Sequence, residues 1–115
     1  MIDFACKTFK LEEVIRCGLA ITKSEFKILN FFITNNKYFS THEVAKQTSL
    51  DVSTVQRAVK KLYEKKIISR SQINLKDAGY QFVYQIKPRK EIKSIIMNLI
   101  ANWSKRVESE LDNWI

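Results

Sequence analysis

Between Ser40 and Lys66 the sequence gathers side chains suited to recognising a polyanion. Ser53, Thr54, Gln56 and Arg57 place two small hydroxyls, one amide and one guanidinium within five residues, followed by Lys60 and Lys61. Hydroxyls, amides and guanidinium groups match the donor and acceptor edges of bases in a major groove, and cations behind them match phosphates. Ser40, Thr41 and His42 just upstream, and Lys76 downstream, extend the candidate phosphate-facing set. Catalytic chemistry has no comparable concentration. The sole histidine, His42, falls where a helix should begin, so a phosphate contact or a solvated surface suits it better than a base. Cys6 and Cys17 are too widely spaced for a metal knuckle, and no other thiol or imidazole could complete a zinc site. There is no glycine-rich phosphate loop and no acidic pair at catalytic spacing, so no enzyme activity, cofactor or metal is expected. Cys17 lies in a mostly apolar stretch and is expected to be buried and inert, although Arg16 beside it acts in the opposite sense.

Those residues need a scaffold, and the flanking pattern supplies one. Ser40 and Glu43 form a capping-box pattern that starts a short helix with Val44 and Ala45 inward. Leu50 and Val52 bracket a turn, where Asp51 or Ser53 can cap the next helix. In that second helix Val55, Ala58, Val59 and Leu62 recur at three- and four-residue spacing and share one buried stripe. The polar set therefore points outward, and the pair reads as a helix-turn-helix. Directly after it, Ile73 and Leu75, then Tyr80, Phe82, Tyr84 and Ile86, alternate with polar neighbours as in half-buried strands. Asp77 to Gly79 carries turn chemistry between them. A helix-turn-helix followed by such a hairpin is a winged helix. Thr22 and Glu25 make a second capping box, followed by an apolar stripe of Phe26, Leu29, Phe32 and Ile33 that suits a first packing helix. Tyr38-Phe39 could add a short strand to the hairpin, and Leu11, Val14 and Ile15 suggest one more short helix before Gly18.

The run Thr54-Val55-Gln56-Arg57-Ala58-Val59-Lys60-Lys61-Leu62, then Glu64-Lys65-Lys66-Ile67-Ile68, resembles the recognition helix and first wing strand of MarR and TrmB-like archaeal regulators. The resemblance covers about Ile21 to Ile86, with a similar terminal helix beyond. It implies a winged helix whose second motif helix enters DNA, and a dimer. One departure is clear: the wing tip carries Lys76 beside Asp77 where many relatives place several arginines, which argues against strong minor-groove insertion.

After Pro88 no proline or glycine interrupts the chain, and Ile92, Ile95, Ile96, Leu99, Ile100, Trp103, Val107, Leu111 and Trp114 fall at spacings of three and four. A helix from Pro88 to Ile115 would be about 42 Å long. Its apolar stripe is more than one small domain can cover, so a two-fold partner is expected on Ile92, Ile96, Leu99, Trp103, Val107 and Leu111. The alternative is a helix folded back on its own domain. The expected organisation is a helical segment over 1–20, a winged helix-turn-helix over 21–87 and a dimerisation helix over 88–115, in a mainly α, α+β fold.

Charge agrees with this division. Residues 40–66 carry +3, 67–88 carry +2, 89–106 carry +4, the last nine −3 and residues 1–39 the remaining +2 of a net +8. Basic excess on and after the motif suits a phosphate-facing surface driven by counterion release. With 115 residues, 45% hydrophobic, the chain has the composition of one modest globular core. No apolar run is long enough to span a bilayer and no signal-peptide layout opens the sequence, so a cytoplasmic location is expected. The expected function is sequence-specific binding of double-stranded DNA by a homodimeric transcriptional regulator. Two alternatives use the same scaffold: a winged-helix module docking a protein of the transcription machinery, and an effector- or redox-responsive switch.

Overall fold

The computed structural model describes residues 1–77 and 79–115. Its elements run β1 (Ile2–Phe4), β2 (Lys7–Phe9), α1 (Leu11–Leu19), α2 (Lys23–Thr34), α3 (Thr41–Thr48), α4 (Val52–Glu64), β3 (Ile68–Leu75), β4 (Gly79–Ile86) and α5 (Arg89–Trp114). The chain divides into two compact units, Ile21–Pro88 and Met1–Ala20 together with Arg89–Ile115. The first is a winged helix. Among the described residues no helix is long and apolar enough to cross a membrane.

In the Ile21–Pro88 unit, three helices and a hairpin close on one core. Both expected capping boxes form: the Thr22 hydroxyl accepts from the Glu25 N–H, and the Ser40 hydroxyl from the Glu43 N–H, with each glutamate accepting from its cap's N–H in return. Val55, Ala58, Val59 and Leu62 are buried, so the stripe of α4 faces inward as its spacing requires. Ile28, Leu29 and Phe32 of α2 and Val44 and Ala45 of α3 complete the helical side of the core. Helix α3 ends at Ser49 in the left-handed region (φ 58°), and the Leu50 N–H returns to the Ala45 carbonyl. Helix α4 closes likewise: Lys66 takes φ 64° and the Ile67 N–H donates to the Leu62 carbonyl, a Schellman geometry that turns the chain directly into the wing. Asp51 stands at the N-cap of α4 with no side-chain capping bond.

The wing pairs β3 and β4 antiparallel from Ile68↔Ile86 to Leu75↔Gly79. Phe39 adds a single bridge to Tyr84, as the Tyr38-Phe39 pattern anticipates. The turn expected over Asp77–Gly79 includes Ala78, which lies outside the described residues; Gly79 takes φ 83°, a conformation that favours glycine. The wing departs from the expected inward stripe. Its core contribution comes from Ile68 and Val83, while Tyr80 is 57% exposed and Phe82 and Tyr84 are half-buried. The core is small and takes only Ile68 and Val83 from the wing, so the aromatic face of the hairpin stays outside it.

In the second unit, residues 1–20 are not wholly helical. An N-terminal hairpin pairs Ile2 with Phe9 and Phe4 with Lys7 before α1 begins. Each strand has three residues, too few for a two-residue period to stand out. Helix α1 runs through Gly18 to Leu19 and ends at Ala20 in the left-handed region. A Cβ on Gly18 would meet Leu99 Cδ1 of α5 at 3.8 Å, an ordinary contact. The expected burial of Cys17 is corrected: it is free and exposed, as is Cys6. Cys6 occupies the hairpin turn, and Cys17 falls on the open side of α1, whose buried residue is Leu19. Along α5, Ile92, Ile96 and Leu99 are half-buried, whereas Trp103, Val107 and Leu111 are exposed, as is every residue from Ile100 onward.

Candidate nucleic-acid interface

Rotation of about 100° per residue along α4 sorts its side chains by face. Ser53, Gln56, Arg57 and Lys60 are exposed and Thr54 is half-buried at the helix start. Beside this face lies an open groove of about 580 Å3, lined by Ser40, Thr41 and His42 at the start of α3, Gln56, Val59, Lys60, Tyr63 and Glu64 of α4, and Arg70, Gln81, Phe82 and Tyr84 of the wing. The groove brings together Ser40, Thr41, His42, Gln56 and Lys60 of the expected set. Ser53, Thr54 and Arg57 do not line it, and exposed Lys76 lies in the wing turn.

Two expected phosphate contacts have other engagements. Ser40 is only 3% exposed and its hydroxyl oxygen accepts the Glu43 N–H at 3.2 Å. Lys61 turns toward α2, where its Nζ lies 2.9 Å from Glu25 Oε1. Glu25 is 4% exposed. Burial alone would raise its pKa, but the Thr22 N–H and the Lys61 ammonium outweigh that and hold it below its ordinary value of 4.5. Glu25 thus both starts α2 and ties that helix to α4. Only the three-dimensional pairing of residues 36 apart reveals this, because Lys60 and Lys61 are indistinguishable as sequence.

The wing supplies groove residues that helix periodicity could not find. Opposed pairs Arg70↔Tyr84, Gln72↔Phe82 and Asn74↔Tyr80 share one face of the hairpin. The Arg70 guanidinium carbon lies 4.3 Å from the Phe82 ring centroid and 4.5 Å from that of Tyr63. Tyr80 and Phe82 meet edge to face at 5.2 Å, and Tyr63 meets Tyr84 at 6.5 Å. The alternation of Tyr80, Phe82 and Tyr84 was the available signal, and Phe82 and Tyr84 of that run line the groove while Tyr80 lies beyond it. Charge follows the same division of the chain: residues 21–88 hold twelve Lys/Arg against five Asp/Glu, a net +7 of the total +8.

This architecture has close counterparts. A possible transcriptional regulator from Methanosarcina mazei Go1 is 44% identical, with a TM-score of 0.93 over 99% of this chain and 96% of that one. An uncharacterized protein of Methanocaldococcus jannaschii is 33% identical over 108 residues, spanning 94% of this chain and 81% of that protein. A Staphylococcus aureus MepR variant solved bound to an oligodeoxyribonucleotide shares the fold at 15% identity, with a TM-score of 0.51 over 87% of this chain and 75% of that one. The winged helix implied by the sequence resemblance is therefore present, but the matching family model is neither MarR nor TrmB. It is the DnaD N-terminal domain, matched over residues 9–107, and the chain belongs to that family.

Proposed function

We propose that this chain is a sequence-specific, double-stranded-DNA-binding transcriptional regulator that works in the cytoplasm as a homodimer. Helix α4 enters the major groove with Ser53, Thr54, Gln56 and Arg57 toward the bases. Thr41, His42 and Lys60 flank the phosphates, and Lys76 offers the wing turn to the backbone. Ser40 and Lys61 leave this set because capping and the Glu25 pair engage them. Ile92, Ile96, Leu99, Trp103, Val107 and Leu111 form the seam with the second copy. The observation that carries the reading is the outer face of α4, where Ser53, Gln56, Arg57 and Lys60 are exposed on a unit of net +7. Identity of 44% to a possible transcriptional regulator supports it, and a fold shared with an oligodeoxyribonucleotide-bound MepR variant is compatible with it.

Binding-site selection followed by titration at several salt concentrations tests the reading. Arg57→Ala should weaken the selected site by about 1–3 kcal/mol while sparing random duplex, as loss of a guanine contact would. Lys60→Ala should weaken both duplexes alike and lower the salt slope by about one. If the intact protein retains no duplex even at low salt, the proposal fails.

A further inference from the structure

Arg70 differs from the other cations of the groove in how it is held. Its guanidinium lies over the rings of Tyr63 and Phe82, at 4.5 and 4.3 Å, contributed by α4 and by the facing strand of the wing. Contact through the plane leaves the N–H edge of a guanidinium available for hydrogen bonding. Among the described residues no acceptor takes that edge: the ion pairs are Arg16–Glu12 and Lys61–Glu25, and Glu64, which lines the same groove, is in neither. Arg70 is thus positioned by two aromatic rings and left unneutralised, in a groove that Lys60 and the N-terminal end of α3 also border. A planar fork of donors beside an ammonium suits a phosphate.

We infer that this groove seats a backbone phosphate of the bound duplex, with Arg70 as its ligand and Tyr63 and Phe82 as positioning residues. The inference rests on the DNA-binding reading above and deepens it. Ser53 and Arg57 lie outside the groove while Gln56 and Lys60 line it, so a strand read by α4 would carry its sugar-phosphate chain past Lys60 toward Arg70. The phosphate contact then sits between the recognition helix and the wing, and needs no arginine at the wing tip.

The test is a salt series of binding titrations with the intact protein, on the selected duplex and on random duplex. Arg70→Gln should weaken both by a similar factor, about tenfold, and lower the slope of log affinity against log salt by about one. Arg70→Lys keeps the charge but loses the planar fork, so it should keep the slope and lose part of the affinity. Phe82→Leu should lower affinity with Arg70 intact. Arg70 is exposed and supports no core, so loss of its ring contacts should lower the melting temperature of Arg70→Gln by only a few degrees, leaving it folded in the assay. Wild-type affinity and slope in Arg70→Gln, alongside a normal defect in Lys60→Ala, would overturn this inference and leave the DNA-binding reading standing. A loss confined to the selected duplex would make Arg70 a base reader and overturn it too. Failure of the wild-type protein to bind any duplex would sink both.

Discussion

Lys60 and Lys61 are adjacent cations separated by about 100° of helix, and that rotation sends one into the groove and the other against Glu25. Their difference is set by what stands opposite, which a single sequence does not display. Arg70 is a similar case, since the rings that hold it come from positions seven residues before and twelve after. The same limit misplaced Cys17: an apolar neighbourhood in sequence suggested burial, but exposure depends on which side of α1 is covered. Both thiols are exposed, so both should react in the folded protein with an aromatic disulfide reagent, two equivalents per chain without denaturant. A single rapid equivalent from the assembled protein would mean that one of them, in practice Cys17, is covered by a partner. Mild oxidant should leave duplex affinity unchanged, because neither cysteine lies in the winged-helix unit.

At the scale of elements, the patterns that could be read were those that depend on near neighbours. Both capping boxes, the stripe of α4 and the Phe39 bridge follow from local spacing, and all are present. The N-terminal hairpin was not legible, because three-residue strands carry no period. Glu25 has a measurable consequence for how α2 holds α4. Its folded pKa is depressed, so its contribution to stability is present above the ordinary carboxylate value of 4.5 and is lost as pH falls through the lower folded value. Denaturant titrations should therefore show wild-type stability declining below about pH 4.5, with a shallower decline in Glu25→Gln, which keeps an acceptor for the Thr22 N–H but not the charge. At neutral pH Glu25→Ala should cost about 2–3 kcal/mol through loss of the cap and of a charge-assisted bond. A parallel pH profile in Glu25→Gln would remove the ion pair from this account. In the other unit, Gly18 sits in a helix where a methyl group meets only an ordinary contact with Leu99. Gly18→Ala should raise stability by about 0.5–1 kcal/mol, read as a higher melting temperature. A lower one would show that α1 and α5 approach more closely than 3.8 Å allows.

For the whole molecule, the unresolved need is a cover for α5. The helix has 26 residues, about 39 Å, and none is buried within the single chain. Its first half has some shelter, with Ile92, Ile96 and Leu99 half-buried, while Trp103 is 62% exposed and Val107, Leu111 and Trp114 continue the apolar line. Steps of four, four and three from Trp103 to Trp114 keep those groups on one seam, the arrangement two helices use when they pack lengthwise. A monomer would leave that seam in water, which large apolar patches on soluble proteins seldom tolerate. Sedimentation should therefore give a dimer at micromolar concentration. Replacing both Val107 and Leu111 with Asp should yield a folded monomer, since both are exposed within the chain and support no core. The monomer should lose most affinity for a two-fold site while keeping weak affinity for one half-site. Selected sites should then be pseudo-palindromic, with half-sites about 34–36 Å apart or a multiple of that spacing. A wild-type chain that sediments as a monomer and selects a single asymmetric site would reject the seam, and with it the two-fold geometry assigned to the DNA.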